Sequence, residues 1–505
     1  MLLLVFEMLS ETWKLIITPK ACGYWLFWQK NKRKLSCVVY FSRPKPRYKG
    51  DLRHEYYKTK NTENELHNIV HQFTSLIGLS KLTKLVNYRR NSEISLMKVI
   101  EWLLTTKFLG RSLYRAHETP NFTSRTVRNN LNDGRINWQR LICQVGSHLI
   151  KHLRPFIDRR RRLALIIDDT LFSREYATQT ELLARVFDHD KQLYIKGYRA
   201  LTLGWSDANT FLPINFALMS SKKPQNVLGK SAKTTDQRTI AGRRRRQAQQ
   251  KMNLVSLQLV KQALANGVLA DYVLFDSWYS SPKMFYELTK LGLNGVGMLK
   301  RSSKIYYQYR GRQYSVKALY KRLQASKYQP KQAYQYSCFV EAHVGNQKFK
   351  LRLVFVANRA RQDDYLVLAT TQLGLQPQAI IQLYARRWQI ENYFKVAKQY
   401  LRLDKSQVQN YDGLCGHLAI VMMTYDLLAW QERQNQDDRT IGDLFFIMNE
   451  AMPDIELSQA LVWLLNSLKT IINHEVYARR AQIIQMMNQF FTFLPKRLVS
   501  LLTAS

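Results

Sequence analysis

Four residues of the kinds that act on phosphates recur at helical spacing late in the chain. Tyr384, Arg387, Glu391 and Lys398 occupy relative positions 0, 3, 7 and 14. At about 100° per residue this spacing places them on one narrow stripe of a single predicted helix. Glu391 could hold a metal ion there while the two cations hold phosphates. An Arg–Glu pair four residues apart also occurs on many surface helices, so the phosphodiester interpretation requires further carboxylates.

Two other parts of the chain predict such carboxylates at the ends of buried strands. The apolar run LALII leads directly into Asp168 and Asp169, and the run YVLF ends at Asp276. Three carboxylates from separate elements suit two divalent cations about 4 Å apart. Adjacent residues of a strand point to opposite faces, so only one of Asp168 and Asp169 can reach the ions. The pattern of residues leaves that choice open.

The elements around these acids predict an α/β protein with an RNase H-like core. A first strand, a meander, a helix, a further strand and a helix with the last acid follow one another in that order. The segment between Asp276 and Glu391 is rich in Tyr, Val and Phe, which predicts a β-rich insertion. The predicted divisions are a poorly ordered basic leader (1–62), a helical DNA-binding domain (63–157), the first part of the core (158–300), the β-rich insertion (301–371), the last part of the core with the signature helix (372–430) and a helical C-terminal region (431–505).

The composition predicts a folded protein with a polyanionic partner. Lys and Arg outnumber Asp and Glu by 77 to 37, and the formal net charge is +40. Such self-repulsion is tolerated when phosphates neutralise it. The five cysteines are far apart and form no metal-binding spacing, which favours a reduced cytoplasmic compartment. Charges interrupt the apolar N-terminal run, so we expect no transmembrane helix.

Two basic segments have both a DNA-binding and a structural interpretation. Residues 118–150 could form a helix-turn-helix that directs Arg125 and Arg128 at DNA, or simply two packed helices. Residues 221–250 could form an arm that contacts phosphates or a solvated loop, and the charge of the chain favours the arm.

The chain resembles the bacterial insertion-sequence transposases of the DDE superfamily, and specifically insertion-sequence family four, which includes transposons five and ten. The signature of that group is Tyr, two residues, Arg, three residues, Glu, six residues, Lys, and the chain matches every spacing. The resemblance extends to IIDDT, to VLFDSWYSS and to YLVLATT, and it covers roughly residues 63–430.

This resemblance implies a cut-and-paste DNA transposase with catalytic acids Asp169, Asp276 and Glu391. In the family the first acid precedes a Thr, which favours Asp169, with Asp168 as the alternative. The implied cofactor is two Mg²⁺ ions, with Mn²⁺ as a substitute. The implied partners are duplex DNA with terminal inverted repeats, target DNA and a second copy of the chain. The implied location is the bacterial cytoplasm, at the nucleoid, and no membrane is implied. Arg387 and Lys398 would hold phosphates, Tyr384 would bond a phosphate near the cut, and Trp278 or Trp388 would stack on a flipped base, although Trp388 fits a core position better.

Two other functions remain possible from the sequence. One is an RNase H-like nuclease that hydrolyses DNA without strand transfer. The other is a DNA-binding protein derived from a transposase that no longer cuts. The presence of all three acids favours an active enzyme over the second alternative.

Overall fold

The computed structural model describes residues 24–31, 34–41, 59–86, 93–108, 122–188, 191–326, 334–357 and 364–434. The chain divides into two compact units, residues 1–60 and 61–505. In the first unit, β1 (Tyr24–Asn31) and β2 (Lys34–Phe41) form an antiparallel hairpin. Two aromatic and β-branched runs separated by two residues suit a hairpin, and the predicted leader of residues 1–62 stays a prediction. The remainder of that leader, and residues 435–505 of the predicted C-terminal region, lie outside the described residues.

The second unit begins with helices, as the periodicity predicts. Thr123 caps one helix through a bond from the Thr126 amide, and Asn137 caps another through the Arg140 amide. Both caps satisfy backbone N–H groups that a helix start leaves unpaired. The helices are α1 (Thr59–Leu76), α2 (Leu79–Leu85), α3 (Leu96–Phe108), α4 (Ser124–Leu131) and α5 (Trp138–Leu153).

A mixed sheet of eleven strands forms the centre of the described part of this unit. Strands β10, β9, β11, β12, β13, β8, β7, β3, β5 and β4 lie side by side in that order, and β6 also pairs with β5. Their bounds are β3 (Ala164–Ser173), β4 (Ala184–Asp188), β5 (Leu193–Ser206), β6 (Phe211–Met219), β7 (Tyr272–Phe275), β8 (Asn294–Met298), β9 (Tyr306–Tyr309), β10 (Arg312–Ser315), β11 (Tyr336–Val344), β12 (Gln347–Ala357) and β13 (Tyr365–Thr370).

The predicted meander is confirmed, since β3 pairs with β5 and β5 with β6, each antiparallel. Strand β4, which the sequence did not predict, adds an edge to β5. The predicted β-rich insertion stays a prediction; the strands between Asp276 and Glu391 extend the same sheet, because β13 pairs with β8. Within it the segment RQYSVKAL is a strand only as far as Ser315. The Ser315 hydroxyl then accepts a bond from the Ala318 amide and starts a helix.

Helices follow the strands and cover the sheet. One of them, α12, is long and apolar enough to cross a bilayer, but 94% of its apolar window is buried inside the protein. It packs against α5 and β6, as a core helix does. The helices are α6 (Ile240–Ala248), α7 (Met252–Ala265), α8 (Pro282–Lys290), α9 (Val316–Gln324), α10 (Pro377–Ala385), α11 (Trp388–Gln399) and α12 (Tyr411–Gln434).

The second helix of the predicted helix-turn-helix is a core element. Helix α5 buries ten of its sixteen residues and packs against β6 and α12. Gly146 makes this approach possible, because a Cβ added there would lie 2.5 Å from Cγ2 of Ile214. A recognition helix must leave a face free to enter the major groove. These contacts favour the packing interpretation for α5, and DNA reading by this region stays a prediction.

Candidate active site

The parallel pairing of β3 and β7 brings two of the predicted acids to one place. Ile167 lies opposite Phe275 in the last registered pair of the two strands. The next residues along the chain are Asp168 and Asp276. In a parallel pair, residues at the same register point to the same face of the sheet. Continued by one residue, this register directs Asp168 toward the same face as Asp276, and the charge of Asp169 also acts on Asp276.

Arg387 connects Asp168, in the middle of β3, to the third predicted acid. Its Nη1 lies 2.9 Å from Oδ2 of Asp168, and its Nη2 lies 2.6 Å from Oε1 of Glu391. The Arg387 side chain is only 11% exposed, whereas that of Glu391 is 35% exposed. One buried guanidinium thus holds a carboxylate from β3 and a carboxylate from α11.

Asp169 has a different environment. Its two carboxylate oxygens accept bonds from Nε of Arg199 and from the hydroxyl of Tyr279. Its side chain is 6% exposed. Both oxygens are therefore engaged inside the protein. The assignment of Asp169 as a metal ligand stays a prediction, and these contacts do not favour it. The alternative, Asp168, is the acid that shares the guanidinium of Arg387 with Glu391.

The carboxylates repel one another in a partly buried space. Burial, followed by the nearby charge of Asp169, raises the pKa of Asp168 to about 7, although Arg387 opposes this shift. Burial also raises the pKa of Asp276, against the bonds that its Oδ1 accepts from the backbone amides of Trp278 and Tyr279. Negative charge at this position is incompletely neutralised by the protein.

The four signature residues do not lie on one continuous helix, so that prediction is wrong. Helix α10 ends at Ala385 and α11 begins at Trp388. In between, the amides of Arg386 and Arg387 bond to carbonyls three residues earlier, at Leu383 and Tyr384. A tight turn of this 3₁₀ type rotates the chain further per residue than an α-helix does. Tyr384 nevertheless stays beside Arg387, whose guanidinium carbon lies 5.8 Å from the ring centroid.

Lys398 faces a separate cleft. It lies seven residues beyond Glu391 on α11 and lines a cleft of about 810 Å³. Basic and acidic side chains alternate in the walls of this cleft, and the exposed ring of Tyr176 stands at its edge. The charged lining residues are Arg174, Glu175, Asp188, Lys191, Lys398, Asp404 and Lys405.

Both candidate tryptophans are exposed. Trp278 follows Asp276 by two residues, is 54% exposed and has Nζ of Lys300 4.5 Å from its ring centroid. Trp388 is 61% exposed, so the preference for a core position was wrong. Its ring lies 5.6 Å from the guanidinium carbon of Arg387. Aromatic faces are therefore available beside the carboxylates for stacking on bases.

Arg125 and Arg128 lie elsewhere in the unit. They belong to α4, which packs against α3 and α12. Arg125 is exposed and Arg128 is half-buried. A DNA-binding role for these two arginines stays a prediction.

The carboxylates fit divalent cations in chemistry but are not yet gathered as a coordination shell. Within the described ranges no group of three or more His, Cys, Asp or Glu side chains is close enough to hold a metal ion. The raised pKa values of Asp168 and Asp276 indicate a deficit of positive charge that a divalent cation would relieve. Oxygen ligands also match the preference of Mg²⁺. Glu391 would complete such a set once it leaves Arg387.

Two important contacts were not predicted from the sequence. The partners of Asp169, Arg199 and Tyr279, lie 30 and 110 residues away from it. Only the position of Tyr279 three residues after Asp276 offered a signal, since it had to lie near the same sheet edge. The alternation of β5 places Arg199 on the face of Asp169, but this could be known only once the β3–β5 register was known.

The basic segment 221–250 is partly structural. Arg245 bonds both oxygens of Glu181, at 2.6 and 2.8 Å, and reaches Asp412 at 2.8 Å. Arg244 bonds Asp412 as well. Both arginines are buried, whereas Arg243 and Arg246 on the other side of α6 are exposed. The phosphate-arm interpretation therefore does not extend to Arg244 and Arg245, and it stays a prediction for the exposed basic residues of the segment.

Comparison with known proteins gives the family. The sequence model of one family, described as DDE superfamily endonuclease, matches residues 91–346, just over half of the chain. The matched range includes Asp168, Asp169 and Asp276 and ends before Glu391. No curated protein matches the chain. The mixed sheet, with helices on it, an aspartate pair within β3 and Asp276 directly after β7, is consistent with the RNase H-like fold of such enzymes. The chain therefore belongs to the DDE superfamily of endonucleases.

Proposed function

We propose that the protein is a DNA transposase of insertion-sequence family four that cuts its element at the terminal inverted repeats and joins the 3′ ends to target DNA. The family match supports action on DNA. The spacing of Tyr384, Arg387, Glu391 and Lys398 supports the narrower family. The net charge of +40 supports a polyanionic substrate.

The observation that carries this proposal is the contact of Arg387 with both Asp168 and Glu391. It joins an acid from β3 to an acid from α11, although 219 residues separate Arg387 from Asp168. Asp276 leaves β7 at the same edge of the sheet. A surface Arg–Glu pair would have no reason to include a partly buried aspartate from a central strand.

We assign metal binding to Asp168, Asp276 and Glu391, and a positioning role to Asp169. When bound, two Mg²⁺ ions, or Mn²⁺ in their place, would activate the attacking oxygen and stabilise the leaving one. Asp169, closed by Arg199 and Tyr279, would keep β3 and the loop after β7 in place. This placement differs from the family-based choice of Asp169 and is supported by the register and by the contacts of Arg387.

The remaining residues would bind and orient DNA. Arg387 is fixed between two carboxylates and can turn toward a phosphate when cations replace it there. Lys398, in the cleft further along α11, would hold the backbone on one side of the cut, and Tyr384 would bond a phosphate beside it. Trp278 is exposed next to Asp276 and is placed to stack on an unpaired base. Arg125 and Arg128 would contact DNA away from the cut.

Reaction at both element ends would require a pair of subunits in the synaptic complex, acting in the bacterial cytoplasm at the nucleoid. Within each subunit, the freed 3′-hydroxyl must stay bound after hydrolysis so that it can attack target DNA in line. The phosphate contacts of Arg387 and Lys398 would retain that end. A nuclease that does not transfer strands would not need to retain the 3′ end.

The test compares neighbouring aspartates. We expect Asp168→Asn, Asp276→Asn and Glu391→Gln to reduce cleavage of a duplex carrying the element end by at least about 10³-fold, because each loss removes several kcal/mol of metal stabilisation. Binding of the same duplex should change little. Asp169→Asn should instead lower thermal stability, because it breaks a buried ion pair. Loss of DNA binding by the first three variants would mean that those acids hold the fold.

A second assay separates transposition from simple hydrolysis. A pre-nicked element end with a free 3′-hydroxyl is mixed with plasmid target and Mg²⁺. Joined products support the transposase, while cleavage of intact ends without any joining would identify a nuclease on the same fold. Absence of both activities, with end binding retained, would identify a DNA-binding protein derived from a transposase.

A further inference from the structure

A polar pocket with an excess of positive charge lies between α5, α6 and α7. Its volume is about 300 Å³. None of the carboxylates or signature residues of the candidate active site lines it. We call it the arginine pocket. Its lining residues are Asn137, Gln139, Arg140, Cys143, Ile240, Arg243, Arg244, Gln247, Gln262 and Asn266.

The charged residues that line the arginine pocket are all basic. Three of its ten lining residues are arginines and none is Asp or Glu. Arg244 shares Asp412 with Arg245, so its charge is compensated behind the wall. Arg140 and Arg243 are exposed and make no ion pair among the described residues. The excess of positive charge in the pocket therefore comes from Arg140 and Arg243 at its mouth.

The floor of the pocket carries an unused donor. Arg244 is 5% exposed, and its two terminal nitrogens bond Asp412 and the carbonyl of Ile136. Its Nε is buried and has no hydrogen-bond partner. This nitrogen lies beneath the surface of the wall, so Arg244 contributes a fixed positive wall rather than a direct contact to a ligand.

The helices add to this field and make the wall rigid. Asn137 caps α5 and Ile240 is the first residue of α6, so two helix N-termini with positive partial charge border the pocket. The amide of Gln139 bonds the carbonyl of Phe216 at 2.6 Å and the side chain of Gln247 at 2.8 Å. These side-chain amides are bonded within the protein, so they hold the wall of the pocket in place.

We propose that the arginine pocket is a second anion site that binds one phosphodiester of duplex DNA, apart from the strand being cut. The proposal rests on the assignment of DNA as the substrate. Two exposed arginines at the mouth suit a backbone phosphate approaching from outside, and the planar guanidinium is the group best matched to phosphate oxygens. Such a contact would fix the register of the DNA without reading its bases.

The test measures DNA affinity as a function of salt. The full chain is titrated with a duplex of arbitrary sequence in EDTA, so that no cleavage is needed. Each phosphate contact adds about 0.9 to the slope of log affinity against log salt concentration. We expect Arg140→Gln with Arg243→Gln to lower that slope by about one and the affinity at low salt by roughly tenfold. Lys261→Gln is the control, since Lys261 is exposed on α7 and lies outside the pocket.

The possible outcomes separate three explanations. An unchanged slope in the double variant overturns the proposal, and so does an equal change in Lys261→Gln, because that result would describe a diffuse basic surface. Inorganic phosphate at constant ionic strength provides a further arm. Phosphate could raise the melting temperature of the wild type but not of the double variant, while the slope of log DNA affinity against log salt is the same in both. In that case the pocket takes a free phosphate compound, and its assignment to DNA is wrong. A DNA-binding protein that never cuts DNA could still pass this salt test. Failure of the salt test is therefore distinct from failure of the proposed function.

Discussion

Nη1 of Arg387 lies 2.9 Å from Oδ2 of Asp168, although the two residues are 219 positions apart in the chain. The same guanidinium holds Glu391 at 2.6 Å. The guanidinium of Arg387 therefore occupies the space between two acids that need positive charge. This arrangement predicts competition between Arg387 and a divalent cation.

We expect Arg387→Gln to make stability more dependent on Mg²⁺. In EDTA at pH 8 the variant should lose about 1–3 kcal/mol of unfolding free energy, because a buried carboxylate loses its charged partner. Added Mg²⁺ should raise the melting temperature of the variant more than that of the wild type. Arg387→Lys, which keeps the charge but not the two-armed contact, should lie between them. Equal stabilisation of all three proteins by Mg²⁺ would argue against a shared position.

The raised pKa of Asp168 predicts a dependence of stability on pH. In the folded protein this carboxyl titrates at about 7, whereas in the unfolded chain it titrates near 4. Between these values the native state holds a proton that the unfolded state has lost, so stability falls as pH rises. The penalty is complete above pH 7.

Asp168→Asn removes that penalty. In EDTA at pH 8 we expect the variant to be more stable than the wild type by about 1–3 kcal/mol, a discounted value because the site is partly solvated. Near pH 4 the two proteins should unfold at the same denaturant concentration. Asp169→Asn is the control and should be less stable at both pH values, since its partner Arg199 would remain buried without a counter-charge. A constant difference between Asp168→Asn and the wild type across pH would contradict the shifted pKa.

The sequence predicted the parts of the site that depend on local pattern. Apolar runs before Asp168 and Asp276 identified two buried strands, because residues covered on both faces must be apolar. Their parallel register then follows from the fold. The helical stripe placed Glu391 near Arg387 correctly, since four residues make one turn.

Other parts depend on distant partners and could not be predicted. The choice between Asp168 and Asp169 depends on which residues cover each face of β3, and Arg199 and Arg387 come from different elements. The exposure of Trp388 depends on the break after Ala385, which contains neither Gly nor Pro. The run Arg243–Arg246 looked solvated, and only Glu181 and Asp412, far away in the chain, explain why two of its members are buried.

The buried network of Arg245 predicts a large stability effect. Arg245 contacts both Glu181 and Asp412, and its side chain is 2% exposed. Arg245→Met leaves two buried carboxylates with fewer partners, which typically costs about 3–5 kcal/mol. Arg246→Met, one position further and exposed, should stay within about 0.5 kcal/mol of the wild type. Chemical denaturation followed by tryptophan fluorescence measures both, and similar values for the two variants would place Arg245 at the surface.

The close approach of α5 to β6 predicts which role α5 has. An added Cβ at Gly146 would lie 2.5 Å from Cγ2 and 3.0 Å from Cβ of Ile214, and neither atom can move without moving its strand. We expect Gly146→Ala to cost about 1–3 kcal/mol of unfolding free energy, as overpacking usually does, with unchanged DNA affinity of the folded protein. Gly374→Ala is the control, because no atom lies within 4 Å of its added Cβ. If Gly146→Ala instead weakened DNA binding and left stability unchanged, α5 would be a recognition helix, and its burial against β6 would be wrong.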